Sequence, residues 1–105
     1  MEWRDEGIVL AARPHGEGAA VVQLLTLEHG RHAGLMHGGN SRGKRGMVEP
    51  GNRVDAVWRA RLNEHLGRYT IESTRHTAAQ FMDDPARLAA LSAACSVVET
   101  IIPER

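Results

Sequence analysis

Apolar and polar positions change their period once along this chain. Up to about residue 77 the apolar residues come in short runs or alternate with polar ones; beyond it they recur every three or four positions. Gly7-Ile8-Val9-Leu10-Ala11-Ala12-Arg13 predicts a buried strand, ended by Pro14, Gly16 and Gly18. Ala19 to Leu27 predicts a second strand, its short length and flanking glycines outweighing the helix-forming alanines and leucines. Glu28-His29-Gly30 reads as a tight turn into a third strand over Arg31 to His37, giving a hairpin. The clearest alternation lies in Val54 to Leu62. Val54, Ala56, Trp58, Ala60 and Leu62 share one face there, and Asp55, Val57, Arg59 and Arg61 share the other. Asn63 to Gly67 turns the chain into a fifth strand, Arg68 to Thr74, with Tyr69 and Ile71 inward.

After the strands comes a helix signal. Asp83-Asp84-Pro85 supplies a capping aspartate and a proline for the first turn. Leu88, Leu91, Cys95, Val98 and Ile102 then fall on one helical face until Pro103 stops the run. Five strands with a long connection between the third and fourth, followed by one helix, make the element order of an OB-fold, a five-stranded Greek-key barrel. An SH3-like barrel suits the same order. The expected division is a barrel domain over residues 1–77 and a helical segment over 78–105, the first part of a truncated α-helical domain.

Composition changes the picture mainly through where charge falls. The net charge is zero, yet Met1 to Gly30 holds two arginines against five acidic residues. Arg31 to Arg61 holds seven cations against Glu49 and Asp55 alone. A neutral protein with a basic middle presents a positive face to polyanions. No apolar run approaches the roughly 20 residues of a membrane span. The acidic start is unlike a secretory signal, and one cysteine, Cys95, permits no internal disulfide; together these point to the cytoplasm and to no membrane partner.

The cations concentrate in the loop Gly38 to Gly51, which holds five glycines with Arg42, Lys44 and Arg45. Gly38 to Lys44 matches the spacing of a phosphate-binding P-loop, but Arg45 replaces the required Ser or Thr, and Gly46 and Pro50 oppose a following helix. The loop suits sequence-tolerant phosphate contact instead, as the mobile rim of a positive groove. Arg59 and Arg61 on the fourth strand, with Arg31 opening the third, extend that surface. The candidate nucleic-acid-binding set is therefore Arg31, Arg42, Lys44, Arg45, Arg59 and Arg61. Trp58 and Tyr69 point inward, and nothing fixes Trp3, so an aromatic platform for bases is lacking and backbone contacts dominate. The six histidines, His15, His29, His32, His37, His65 and His76, read as surface and turn residues without a tetrahedral ligand set. Neither Glu17 beside His15, nor Ser41, nor Cys95 has a catalytic partner set by spacing. No catalytic residue, metal or cofactor is expected.

Gly7 to Leu10, Arg13-Pro14-His15-Gly16-Glu17, Leu25 to Arg31, and Gly38-Gly39 opening a basic loop together resemble the N-terminal part of the RecO family of recombination mediators. Met1 to Gly7 and Trp58 to Gly67 are similar to its alphaproteobacterial members. The resemblance implies an OB-fold followed by a helical domain, binding of single- and double-stranded DNA, strand annealing, and work with RecR to load RecA on DNA coated by single-stranded DNA-binding protein. It places the basic loop and its neighbouring arginines on the DNA side of a non-enzymatic domain. Two departures stand out: the loop is less basic than in many relatives, and the chain ends after one helix, leaving most of the surface for the coating protein outside it. The competing reading from the residues is a protein-interaction OB module whose basic face meets an acidic partner.

Overall fold

The computed structural model describes residues 1–41, 43–61, 66–76 and 84–103. Five strands, β1 (Glu2–His15), β2 (Ala19–Thr26), β3 (Gly30–Met36), β4 (Arg53–Arg59) and β5 (Arg68–Arg75), close into a barrel in the order β1-β2-β3-β5-β4. One helix, α1 (Pro85–Ile101), follows. This is the expected OB-fold with its C-terminal helix.

β1 serves two neighbours. Its first half pairs antiparallel with β4 from Glu2↔Arg59 to Ile8↔Arg53, and its second half pairs with β2 from Gly7↔Thr26 to His15↔Ala19. A register shift between Val9 and Ala11 marks the changeover, as a bulge does where a strand turns from one sheet direction into another. The Val9 amide donates to Asn52 O at 2.9 Å, and the Gly51 amide donates to Val9 O at 2.8 Å, so the corner is fully bonded. The strand begins five residues earlier than Gly7, the expected start. Glu2, Arg4 and Glu6 alternate with Trp3, Asp5 and Gly7, and this charged alternation belongs to an edge-to-edge ladder with β4.

The interior is filled by Val9, Val22, Leu24, Val54, Trp58 and Tyr69. Each fully buried aliphatic side chain among them contributes roughly 1.5–3 kcal/mol. Gly34 sits at an inward position because the Tyr69 ring lies on it; a Cβ there would come within 2.6 Å of Tyr69 Cδ2. Val57 departs from the alternation. It was expected on the polar face, yet it is buried. Its cross-strand partners are Arg4 and Thr70, and the Arg4–Glu72 ion pair reaches from β1 to β5 across β4 above it.

α1 lies along β1. Asp84 caps it, accepting from the Arg87 amide at 3.2 Å, with Pro85 in the first turn. Leu91 packs on Gly51, Cys95 is buried against Val9, and Glu99 takes two bonds from Arg13, at 2.8 and 2.6 Å. Leu91, Val98 and Ile102 of the expected stripe are half-buried; the side chain of Leu88 is outside the described residues.

Candidate nucleic-acid interface

The basic loop is less free than its glycines suggest. Gly38 turns the chain at φ 72°, and Ser41 closes a turn onto Gly38 O through its amide (3.0 Å) and its hydroxyl (2.7 Å). A single 3₁₀ turn, Arg45–Val48, follows. Val48 drops into the barrel core, and the buried Asn52 amide holds Gly46 O at 3.0 Å. The second half of the loop is thus tied to the barrel core at Val48 and Asn52. That one short 3₁₀ turn after Lys44 is not the α-helix that the rejected P-loop would need there.

Anchoring positions the charge. The aliphatic stem of Lys44 lies over Gly38, its Cδ 3.3 Å from where a Cβ would stand. Arg45 turns back on the loop, donating to Asn40 O at 3.2 Å and to Asn40 Oδ1 at 3.0 Å. Arg42 lies outside the described residues.

The sheet supplies the other wall. β4 pairs with β5 so that Arg59 stands opposite Arg68. Between this pair and the loop runs an open cleft of about 380 Å³, lined by Lys44, Arg59 and Arg68 with His37, and by Met36, Met47, Tyr69 and Ile71. A second hollow of about 560 Å³ adjoins it, sharing Arg59 and Arg68 and adding Arg61, Met1 and Glu2. Three expected residues, Lys44, Arg59 and Arg61, are therefore brought together along one trough, with Arg61 beyond the end of β4 instead of on it. Arg68 joins them and was missed. Counting both strands back from the Asn63–Gly67 turn would have set it opposite Leu62, so the register that brings it to Arg59 was not legible in the sequence.

Arg31 does not join. Its guanidinium points to the C-terminal end of α1 and donates to Ile102 O at 3.2 Å, on another side of the barrel. Arg59 is shared: Glu2 ion-pairs with it, and the hydrogen bond from Arg59, reinforced by its charge, holds the Glu2 carboxyl below its usual range. The side chains of Lys44, Arg61 and Arg68 have no hydrogen bond or ion pair with another described residue. Further along the same outer surface the charges neutralise one another, as Arg53–Glu6 and Arg4–Glu72.

Of the described histidines, His15, His37 and His76 are exposed as expected, whereas His29 and His32 are half-buried. His32 is inside the barrel mouth with its Nδ1 2.8 Å from Tyr69 Oη, so it is not a surface residue. His29 stacks on Trp3 at 3.8 Å and 8° and meets Asp5 Oδ2 at 2.8 Å. Trp3 stacks on Trp58 in turn at 5.5 Å. Burial pushes the Asp5 carboxyl up, but bonds from His29 and from the Glu28 and Glu6 amides outweigh it and hold the group below its usual range. Among the described residues no three His, Cys, Asp or Glu side chains are grouped to hold a metal ion. Burial raises the Cys95 thiol, which keeps it protonated against Val9. No described helix is long and apolar enough to cross a membrane.

Known proteins give the same picture of the chain as a whole. The family model described as recombination protein O, N terminal, matches residues 1–77. The chain is 60% identical to the DNA repair protein RecO of Rhodospirillum centenum over 105 residues, which is 100% of this chain and 42% of that relative. It is 50% identical to the RecO of Rhodospirillum rubrum, again over 100% of the chain and 42% of the relative. The RecO of Mesorhizobium japonicum is 47% identical, with 41% of its length covered. The chain thus spans about two fifths of the length of these curated relatives. The match of the family model over residues 1–77 and the identity to these relatives across the full 105 residues show that the chain belongs to the RecO family of DNA repair proteins.

Proposed function

We propose that this chain is the DNA-binding OB domain of a recombinational repair mediator, and that its contact surface is the trough formed by Lys44, Arg59, Arg61 and Arg68. The observation that carries this reading is the convergence of those four cations on two adjoining hollows, three of them without a partner among the described residues. Cations held on a rigid sheet and an anchored loop track a phosphate backbone with little preference for sequence. Arg42 and Arg45, neighbours of Lys44 in the sequence, stay in the proposed contact set on their charge alone. Arg31 is assigned to holding α1, not to DNA. Strand annealing, assistance to RecA loading with RecR, and contact with single-stranded DNA-binding protein belong to the same proposal, as does a non-enzymatic, cytoplasmic role. So does the division into a barrel unit, 1–77, and the start of a helical unit, 78–105.

The test is a salt series with labelled single-stranded DNA, comparing wild type with a Lys44→Ala/Arg61→Ala/Arg68→Ala variant. Loss of three phosphate contacts flattens the log–log slope of affinity against salt by roughly 2–3 units. Equal slopes for the two proteins, or no binding by wild type at low salt, would remove this surface from consideration. Tight binding of an acidic peptide in place of DNA would favour the protein-interaction reading.

A further inference from the structure

The barrel is not sealed evenly. β3 and β5 run parallel and meet at one described pair, Leu35↔Arg68, reinforced by the Leu35 amide donating to Gly67 O at 3.0 Å. Past that point Met36 and His37 diverge from Tyr69, Thr70 and Ile71, and the cleft opens between them. Its floor is apolar because it looks into the barrel: Met36 and Tyr69 are core residues, Ile71 packs against the core, and Met47 closes the loop side. Its rim is cationic, with Lys44 on one lip and Arg59 and Arg68 on the other.

An apolar floor under a cationic rim is more than a phosphate track needs. Phosphates remain solvated and require only the rim, whereas a flat, weakly polar ring beside a phosphate requires both. We propose that the cleft is a subsite for one unpaired nucleobase of single-stranded DNA, its ring on the Met47 and Ile71 side chains and its flanking phosphates on Lys44 and Arg68. This rests on the nucleic-acid reading above and goes beyond it, since it adds a base contact to binding otherwise made through the backbone. A base paired and stacked within a duplex cannot enter, so the subsite acts on single strands only. The thioether of Met47 suits the role: it is polarisable, adapts to any ring and discriminates little between bases.

The experiment compares an oligothymidylate with an abasic chain of the same length and sugar-phosphate backbone. Both present the same phosphates, so the electrostatic contribution is matched and only the bases differ. Wild type binds the base-bearing strand more tightly by roughly 2–10-fold, the range spanned by a thioether–ring contact. Met47→Gln, similar in size, loses that preference while its salt slope stays that of wild type. Lys44→Ala, on an exposed side chain, weakens both strands alike and keeps the preference. Equal wild-type affinity for the two strands overturns the subsite and leaves DNA binding standing, as does a preference that survives in Met47→Gln. Failure to bind either strand at low salt removes both readings together. Far-ultraviolet circular dichroism and a thermal melt establish that each variant is folded.

Discussion

Two seams of the barrel are built in opposite ways. Along β1 and β4 seven residue pairs form an unbroken antiparallel ladder, and the charges above it are matched as Glu2–Arg59 and Glu6–Arg53. Along β3 and β5 a single parallel pair joins the strands, and the cations beside it, Lys44 and Arg68, meet no acidic partner among the described residues. Backbone continuity and side-chain charge thus vary together. Where the ladder is long, side chains neutralise one another and the surface is complete. Where it is one pair long, apolar interior and unmatched charge are both presented to solvent.

If the short seam depends on side-chain packing, its weak point is Tyr69, whose ring rests on Gly34 of β3. Tyr69→Ala leaves that interface empty and lowers stability by about 3–5 kcal/mol in urea unfolding, as for other buried aromatics. A loss below about 1 kcal/mol would mean that the backbone pair alone holds the seam, and the contrast between the two seams would collapse.

A smaller effect concerns the outer side of β1, where α1 is strapped down by Arg13 and Glu99. The hydrogen bond from Arg13, aided by its charge, holds the Glu99 carboxyl below its usual range despite partial burial. A depressed carboxylate stabilises the fold above its unfolded pKa, and that contribution disappears as pH falls through the folded value. Arg13 is largely exposed, so solvent screening limits the pair to about 0.5–1 kcal/mol. Glu99→Gln therefore lowers the melting temperature slightly at neutral pH and converges with wild type at acid pH. A constant offset at all pH values would show that packing of the helix, not the ion pair, sets its docking.

The smallest effect sharpens the boundary between the seams. Glu2 occupies Arg59 at the point where the matched ladder meets the trough. Glu2→Gln releases that guanidinium, and DNA affinity rises a few-fold, about what one surface ion pair is worth. Unchanged affinity would place Arg59 with the matched surface and leave Lys44, Arg61 and Arg68 as the contact set.

The parts of this fold that the sequence displays are those with one-sided burial. Val54, Ala56 and Trp58 alternate because β4 has one wet face, and Asp84-Pro85 marks a helix start through local hydrogen bonding alone. The hairpin at Glu28 to Gly30 is equally local; Thr26 Oγ1 accepts from the His29 amide and donates to Gly30 O. Residues 2–6 were unreadable as strand because their outward positions are charged and only Trp3 signals an interior. Trp3 itself is fixed by His29 and Trp58, partners distant in the chain. The same limit applied to the site. Lys44, Arg59 and Arg61 were visible as clustered charge, but charge counting does not separate Arg31, held by Ile102 O, from Arg68, which register places opposite Arg59. Nor does composition show that Val48 and Asn52 pin a glycine-rich loop to the core.

The double pairing of β1 also sets an order of events during synthesis. Its second half finds β2 within a few residues of emerging, but its first half waits for β4, since Glu2 and Arg59 are separated by 57 positions. At about 5–20 residues per second the ribosome takes roughly 3–11 s to deliver that partner. Throughout the interval a nascent edge carrying Trp3 is open to other chains. Glu2, Arg4 and Glu6, which later sit in ion pairs, meanwhile act as charged gatekeepers against premature strand pairing between neighbouring polypeptides.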